Sequence, residues 1–339
     1  MSKYKFSSVD AQVGILESRG MVVPDEDRAK SFLLNNNYYN VVNAFKKSII
    51  DENAGKEKYK EGVCFEDLVC LYRFDERLRA IFLRYILIIE GQLKTHLAYE
   101  FSKAYGPMDY LRLNVYNRND ALDVERAESF ISQLKGLIGK NAKANDMVKH
   151  FLREQGNQMG LVPLWALVNV LDFGTLRRFY SNLNSNIVNR IARRYYSLPP
   201  RALQTMIYSL NACRNMCAHG SCLIRFRMKD RGKQISDTDL HRALCIPDEK
   251  GNYLCGKRDL FSIVICLKYL LSDKDFSGFF GEFDKEILLL EKSLQASPVS
   301  AQDVFKEMGL PPSLDGEGKP LWKGLRDLSA QDLQSADPR

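Results

Sequence analysis

The run from Phe65 to Tyr105 constrains the fold most. Leu78, Ile81, Phe82, Tyr85, Ile86, Ile89, Leu93, Leu97 and Phe101 recur at steps of three and four, which lays one apolar stripe along an α-helix. Gly106-Pro107 closes the run. At 1.5 Å per residue such a helix outspans the diameter of a small domain, so other elements must pack along it. The same period returns in shorter stretches. Helices are expected from residue 7 to 20 with Ser8 as N-cap, from Asp25 to Asn35, from Tyr38 to Lys47, from Leu122 to Leu137 and from Met147 to Gln155. Leu164 to Val170 is read as helical with Trp165 turned inward. Phe173-Gly174-Thr175 is read as a tight turn before a helix from Leu176 to Leu183, and Ile187 to Tyr196 as another. Leu260 to Leu271 is apolar enough to be central, and Phe276 to Leu294 is the last long helix. The fold class is therefore all-α.

Two stretches break the pattern. Arg225, Arg227, Lys229, Arg231 and Lys233 alternate with Ile224, Phe226 and Met228. Period two predicts a small β-ribbon with one basic face, and Ile246 to Leu254 is its candidate partner. From Ala296 onward Pro, Ser, Gly and charge dominate. Val304 to Met308 is expected to form a helical turn, Trp322 to dock, and the final dozen residues to be disordered. The expected organisation is a helical region over 1–60 packed on a helical domain over 61–295. That domain carries an insertion at about 222–258, and a partly disordered tail covers 296–339.

Composition limits the function. The chain has 339 residues with 45% hydrophobic content, enough for a substantial core, and its net charge of +7 leans mildly towards anionic partners. The longest apolar runs, such as Tyr85 to Ile89, are too short to span a bilayer, and no secretory h-region opens the chain; no membrane role and a cytoplasmic location are expected. None of the eight cysteines forms a Cys-x2-Cys pair, and that spacing argues against a zinc site. No metal or cofactor is expected. Cys245 and Cys255 flank a turn and are candidate strand neighbours. The Tyr38-Tyr39 pair is read as buried in preference to stacking on bases.

The chemistry concentrates in Arg214-Asn215-Met216-Cys217-Ala218-His219. This run closes a helix that Pro199-Pro200 starts and Gly220 stops. Leu203, Met206, Ile207, Leu210, Cys213 and Cys217 form its core-facing stripe. A metal-free ribonuclease needs a base for the 2′-hydroxyl proton, an acid for the leaving 5′-oxygen and a cation for the phosphoryl oxygens. His219 titrates in the range for either proton, and Arg214 supplies a guanidinium. Asn215 lies one turn from His219 and could fix the imidazole tautomer. Arg214 and His219 are roughly 140° apart on an ideal helix, so one regular helix does not clamp a phosphate between them. Either the helix deforms at its end or two copies share a site. As spacing alone, Arg-x4-His is weak; a histidine at a helix end also suits the helix dipole without any catalysis.

The run resembles the Arg-x4-6-His signature of the HEPN superfamily and, more closely, the Abi-like abortive-infection proteins of bacteria. The resemblance extends over Gln12-x3-Leu16-x2-Arg19-Gly20-Met21, Asn37-Tyr38-Tyr39, Phe65-Glu66-Asp67-Leu68, Ile89-Glu90-x3-Lys94, Pro163-Leu164-Trp165-Ala166 and Phe173-Gly174-Thr175-Leu176. It implies a HEPN-type helical bundle, ribonuclease activity and a role in phage defence. Glu90, the acidic residue at the matching place, is then expected to pack beside the motif helix and orient Arg214 or His219; the plainer alternative is a surface pair with Lys94. One departure stands out. Family members follow the histidine with a pattern like His-x2-Arg-Leu-x-Asn-Arg, whereas here Cys222 replaces the arginine and Arg225 the asparagine.

The expectation is a metal-independent endoribonuclease that leaves a 2′,3′-cyclic phosphate and acts as a toxin or effector in phage defence. Its catalytic candidates are Arg214, Asn215, His219 and Glu90. Candidate RNA contacts are Lys94, Arg190, Arg194, Arg225, Arg227 and Lys229. Only one Arg-x4-His motif is present, and a homodimer is expected to supply the second. The competing readings are a non-catalytic protein that scaffolds a small structured RNA, and a nucleotide- or protein-binding module without RNA.

Overall fold

The computed structural model describes residues 6–326 except 55–56, 155–160, 197, 230–232, 246, 248–249, 313, 315 and 317. Helix α1 (Val9–Ser18) starts where Ser8 accepts the Ala11 N–H, and α2 (Glu26–Asn35) where Asp25 accepts the Arg28 N–H. These oxygens satisfy amides that the first helical turn leaves unpaired. A π-helical turn (Tyr39–Asn43) and the short α3 (Lys46–Ile49) follow. Tyr38 is half-buried, but Tyr39 is 68% exposed, against the expectation that both are buried. Val22 pairs with Val63 and Phe65 through backbone bonds, which ties this region to the start of the long helix.

That helix, α4 (Phe65–Tyr105), runs unbroken for 41 residues, close to 60 Å at the helical rise. Asp67 reaches back to the Cys64 N–H to begin it. It ends at Gly106, whose φ of +96° suits glycine. Its expected stripe is buried throughout, together with four carboxylates, Asp67, Asp75, Glu90 and Glu100. Helix α5 (Ala121–Ala144) and α6 (Asp146–Arg153) follow, capped by Asp120 and Asn145.

Helix α7 (Leu164–Leu167) is a single turn that runs into a 3-10 turn. Leu164, Ala166, Leu167 and Val168 fill its buried side. Trp165 falls on the other side and is 55% exposed, with its ring meeting Phe151 edge-on at 5.2 Å; the expected inward orientation is corrected. Helix α8 (Phe173–Asn182) begins earlier than expected. Asp172 accepts the Thr175 N–H at 2.6 Å, so the apparent tight turn is the first turn of the helix. Helix α9 (Ser185–Ala192) ends before the expected Tyr196. Helix α10 (Pro200–Ala218) has proline in its first turn, as expected. It packs on α4, α8 and α12.

The expected β-ribbon is not found among the described residues. Ile224, Phe226 and Met228 are buried while Arg225, Arg227 and Lys229 are exposed, so the alternation is real. No strand ladder is found among the described residues; Pro247 and Tyr253 make only an isolated bridge. The segment is a single irregular chain, with a turn in which the Phe226 N–H donates to Leu223 O at 2.8 Å. Asp75 accepts the Leu223 and Ile224 N–H groups at 2.6 and 2.9 Å, and Met228 bonds the Arg258 backbone and guanidinium. Period two reports which side chains sink into the core; it does not supply a pairing partner. Proline in the return segment also lacks the N–H that a ladder needs. Cys245 and Cys255 are both buried free thiols beside one another without flanking strands. Arg231 and the final dozen residues lie outside the described residues.

After α11 (Asp239–Leu244) comes α12 (Leu260–Leu270), in which every residue is buried. Helix α13 (Asp273–Ser293) lies along α4, and α14 (Ala301–Met308) follows. Trp322 is buried with its ring 5.9 Å from Phe280 and 6.0 Å from Phe283. One continuous hydrophobic cluster runs from Val13 to Leu325.

Candidate functional site

The end of α10 sets the geometry. Ser221 donates its N–H to Met216 O at 3.0 Å and Gly220 to Cys217 O at 3.4 Å, with Gly220 at φ +67°. This is the left-handed helix stop that glycine permits. His219 is the capping residue, at φ −98° and ψ 8°, outside regular helical geometry. Its side chain is exposed and makes no hydrogen bond to a described residue. Space beside Gly220 is closed by Arg79, whose Nη1 would stand 3.2 Å from a Cβ at that position.

Arg214 stands one turn back. Its Nε is 3.9 Å from Glu90 Oε2, a charge contact too long for a hydrogen bond. Both atoms are buried and neither has a hydrogen-bond partner. Glu90 itself is 6% exposed, and its Oε1 accepts from Lys94 Nζ at 2.9 Å. The two expectations for Glu90 thus meet in one place: it packs beside the motif helix, and it also pairs with Lys94, largely buried. Asn215 turns its Oδ1 to Arg214 Nη1 at 3.5 Å, not to His219.

Asp172 is an unforeseen neighbour. Burial pushes its carboxyl up, but bonds from the Thr175 N–H and hydroxyl, then the charges of Arg178 and Arg214, outweigh that and hold it below the usual range. Arg214 is therefore drawn towards two carboxylates. Only the Asp172-x2-Thr175 capping pattern could have flagged this residue in the sequence.

A second pair fixes the chain just past His219. Asp75 is 2% exposed and holds the Leu223 and Ile224 amides, while Arg79 Nε lies 3.2 Å from its Oδ2. Burial is the main cause that pushes the Asp75 carboxyl up to about 6, against the opposing pull of those amides and Arg79. Asp75 and Arg79 are one turn apart, but nothing local announces that Asp75 holds backbone amides more than a hundred residues away.

The remaining candidates are scattered. Arg225 reaches Glu307 Oε1 at 3.2 Å, and Arg227 donates to the Glu307 carbonyl at 2.7 Å; Lys229 is exposed beside them. They share the Asp75 end of α4, and fifteen helical residues, roughly 22 Å, separate Asp75 from Glu90. Arg194 donates twice to Glu100 and lies over the Tyr99 ring at 5.0 Å. Arg190 is half-buried on α9. Of the six, only Lys94 touches the Glu90–Arg214 pair.

The family model for Abi-like proteins matches residues 31–225, more than half of the chain. The chain belongs to the Abi-like protein family, and that membership suggests a role in abortive infection. No curated protein and no solved structure matches it. The matched span holds Glu90, Lys94, Asp172 and the whole of Arg214–His219, and it ends before Arg227 and Lys229. No helix among the described residues is long and apolar enough to cross a membrane.

Proposed function

We propose that the chain is a metal-independent endoribonuclease that acts in abortive infection and has a HEPN-type site. The observation that carries this reading is the pairing of a half-buried Arg214, its Nε buried beside Glu90, with an exposed, unengaged His219 at the end of the same helix. An imidazole free of internal partners can take the 2′-hydroxyl proton or protonate the leaving 5′-oxygen. The 2′-oxygen attacks phosphorus, the bond to the 5′-oxygen breaks, and a 2′,3′-cyclic phosphate remains. Arg214 balances charge on the phosphoryl oxygens. One chain offers one such histidine, while the reaction moves two protons. The site is completed by a second copy, with the motif helices meeting near a two-fold axis.

A second reading has its own support. Arg214 leans to Glu90 and Asp172, away from its motif partner, as a residue would that only binds RNA and scaffolds it. The test is incubation of purified protein with total RNA in EDTA, with the new ends analysed. Cleavage to cyclic phosphate ends that is absent in His219→Ala supports the nuclease. RNA that is retained but uncut supports the scaffold. Light scattering on RNA-free protein tests the dimer: a strictly monomeric mass, with cleavage first order in protein, removes it.

A further inference from the structure

The surface beside Lys94 carries a groove of about 660 Å³ between the C-terminal half of α4 and the α7 turn. We propose that it holds an unpaired base of RNA, so that the chain's RNA ligand is single-stranded next to the motif. The proposal rests on the reading of the protein as RNA-binding. It adds the structural class of the ligand and the site that selects it.

Four observations converge. Trp165 and Tyr99, 55% and 54% exposed, both line the groove. A single exposed aromatic is ordinary, but two in one groove form a stacking site, and every base has a π-face to offer. Lys94 and Lys103 stand on the lining and no carboxylate does; that charge suits a polyanion. Arg194 and Lys103 lie 5.0 and 5.9 Å from the Tyr99 ring centre, which adds cation–π character to the platform. Polar groups on the wall are also unspent. The Ser102 hydroxyl is buried without a hydrogen-bond partner. Asn169 uses only its amide nitrogen, on the Trp165 and Ala166 carbonyls, so its oxygen remains to accept from a base edge.

The groove connects to the motif through shared residues. Lys94 lines it and grips Glu90, which faces Arg214. One helical turn separates Lys94 from Glu90, roughly 6 Å. A nucleotide next to a phosphate held at Arg214 would reach the groove, provided its base is not locked in a duplex. A paired base keeps both faces in the stack and cannot enter.

Trp165 is its own probe. The only other tryptophan is Trp322, buried at 3% exposure on Phe280 and Phe283. In a His219→Ala background, which leaves the strand uncut, short oligoadenylate should quench tryptophan emission saturably. A fully paired RNA duplex at equal nucleotide concentration should not. Trp165→Phe should abolish the quenching while retaining binding by anisotropy. Trp165→Leu should weaken oligoadenylate binding by roughly 10- to 100-fold, and Tyr99→Leu should weaken it while leaving the wild-type emitter in place. Oligoadenylate that binds by anisotropy with no change in emission overturns the groove and spares the RNA reading. No binding of any RNA overturns both. Emission that changes on dilution of the protein alone shows a second copy seated on Trp165, and it too overturns the proposal.

Discussion

Two buried carboxylates of α4, Asp75 and Glu90, are treated in opposite ways. At Asp75 the carboxylate is closed by hydrogen bonds, although Arg79 Nε beside it is buried without a hydrogen-bond partner. Asp75 takes two backbone amides and faces Arg79, and Arg225 and Arg227 are engaged with Glu307. At the Glu90 end the polar groups are left open. Glu90 Oε2 and Arg214 Nε are buried and unsatisfied. His219, whose neighbour Gly220 lies against Arg79, makes no hydrogen bond to a described residue. A buried polar atom without a hydrogen bond costs on the order of 1–3 kcal/mol. A fold keeps such a cost where a ligand can relieve it. The first end anchors the chain that leaves the motif helix, and on the proposed reading the second takes an RNA phosphate.

That contrast predicts different consequences for equal-sized changes. The largest effect falls at the open end. His219→Ala and Arg214→Ala are expected to lower RNA cleavage by about 100-fold or more each. His219 is exposed, so its removal should leave stability within about 0.5 kcal/mol of wild type. Cleavage assays beside urea denaturation check both. A His219→Ala variant that cuts at the wild-type rate refutes the site.

At the closed end the ranking reverses. Asp75→Ala strands two buried N–H groups and Arg79, and about 3 kcal/mol of stability should go with it. Denaturation midpoints measure this. A loss below about 1 kcal/mol would mean that the segment after His219 is not held by Asp75.

How far the sequence reveals these ends depends on the range of the forces. The spine was legible in full: the apolar stripe and Gly106-Pro107 bound α4 where it is found, since both signals are local. So were the proline start and glycine stop of α10, and the central burial of α12. The placing of Glu90 beside the motif helix was legible through resemblance, not through spacing. The 224–229 segment was half legible. Its burial pattern is written in period two, but the missing ladder depends on Arg258 and Asp75, far away in the chain. Trp165 was misplaced because a four-residue helix has too short a period to show which side is core. The anchoring role of Asp75 was invisible because its partners, the Leu223 and Ile224 amides, are distant in the chain, and Asp172 showed only as a local cap for Thr175.

The closed end should also announce itself in pH dependence. Burial pushes the carboxyls of Asp75 and Asp259 up to about 6, well above the ordinary value near 3.8. Between roughly pH 4 and pH 6 the folded chain therefore keeps protons that the unfolded chain has released, and stability falls as pH rises through that window. Each group contributes a slope of at most about 1.4 kcal/mol per pH unit. Asp75→Asn should remove its share and leave that of Asp259. Denaturation at several pH values reads the slope; an unchanged slope in Asp75→Asn would assign the effect to other groups.

The smallest effect should come from the basic segment that the sequence marks as an RNA contact. Arg225→Glu with Arg227→Glu removes two positive charges and adds two negative ones. If these residues met phosphates, the slope of log affinity against log salt would flatten by about one to two units. The structure gives both guanidiniums internal work on Glu307, and their segment is tied through Ile224 to Asp75, which lies roughly 22 Å along α4 from Glu90. A change of less than threefold in RNA affinity is therefore expected, with the salt slope unmoved. Stability should fall by about 1 kcal/mol, since Arg225 would become a carboxylate facing Glu307. Lys94→Gln is the sharper comparison. It neutralises one charge at the open end, beside the Glu90–Arg214 pair, and should cost more affinity than the double reversal. If the double reversal weakens binding more than Lys94→Gln does, RNA runs along the whole of α4 and the division between its two ends fails.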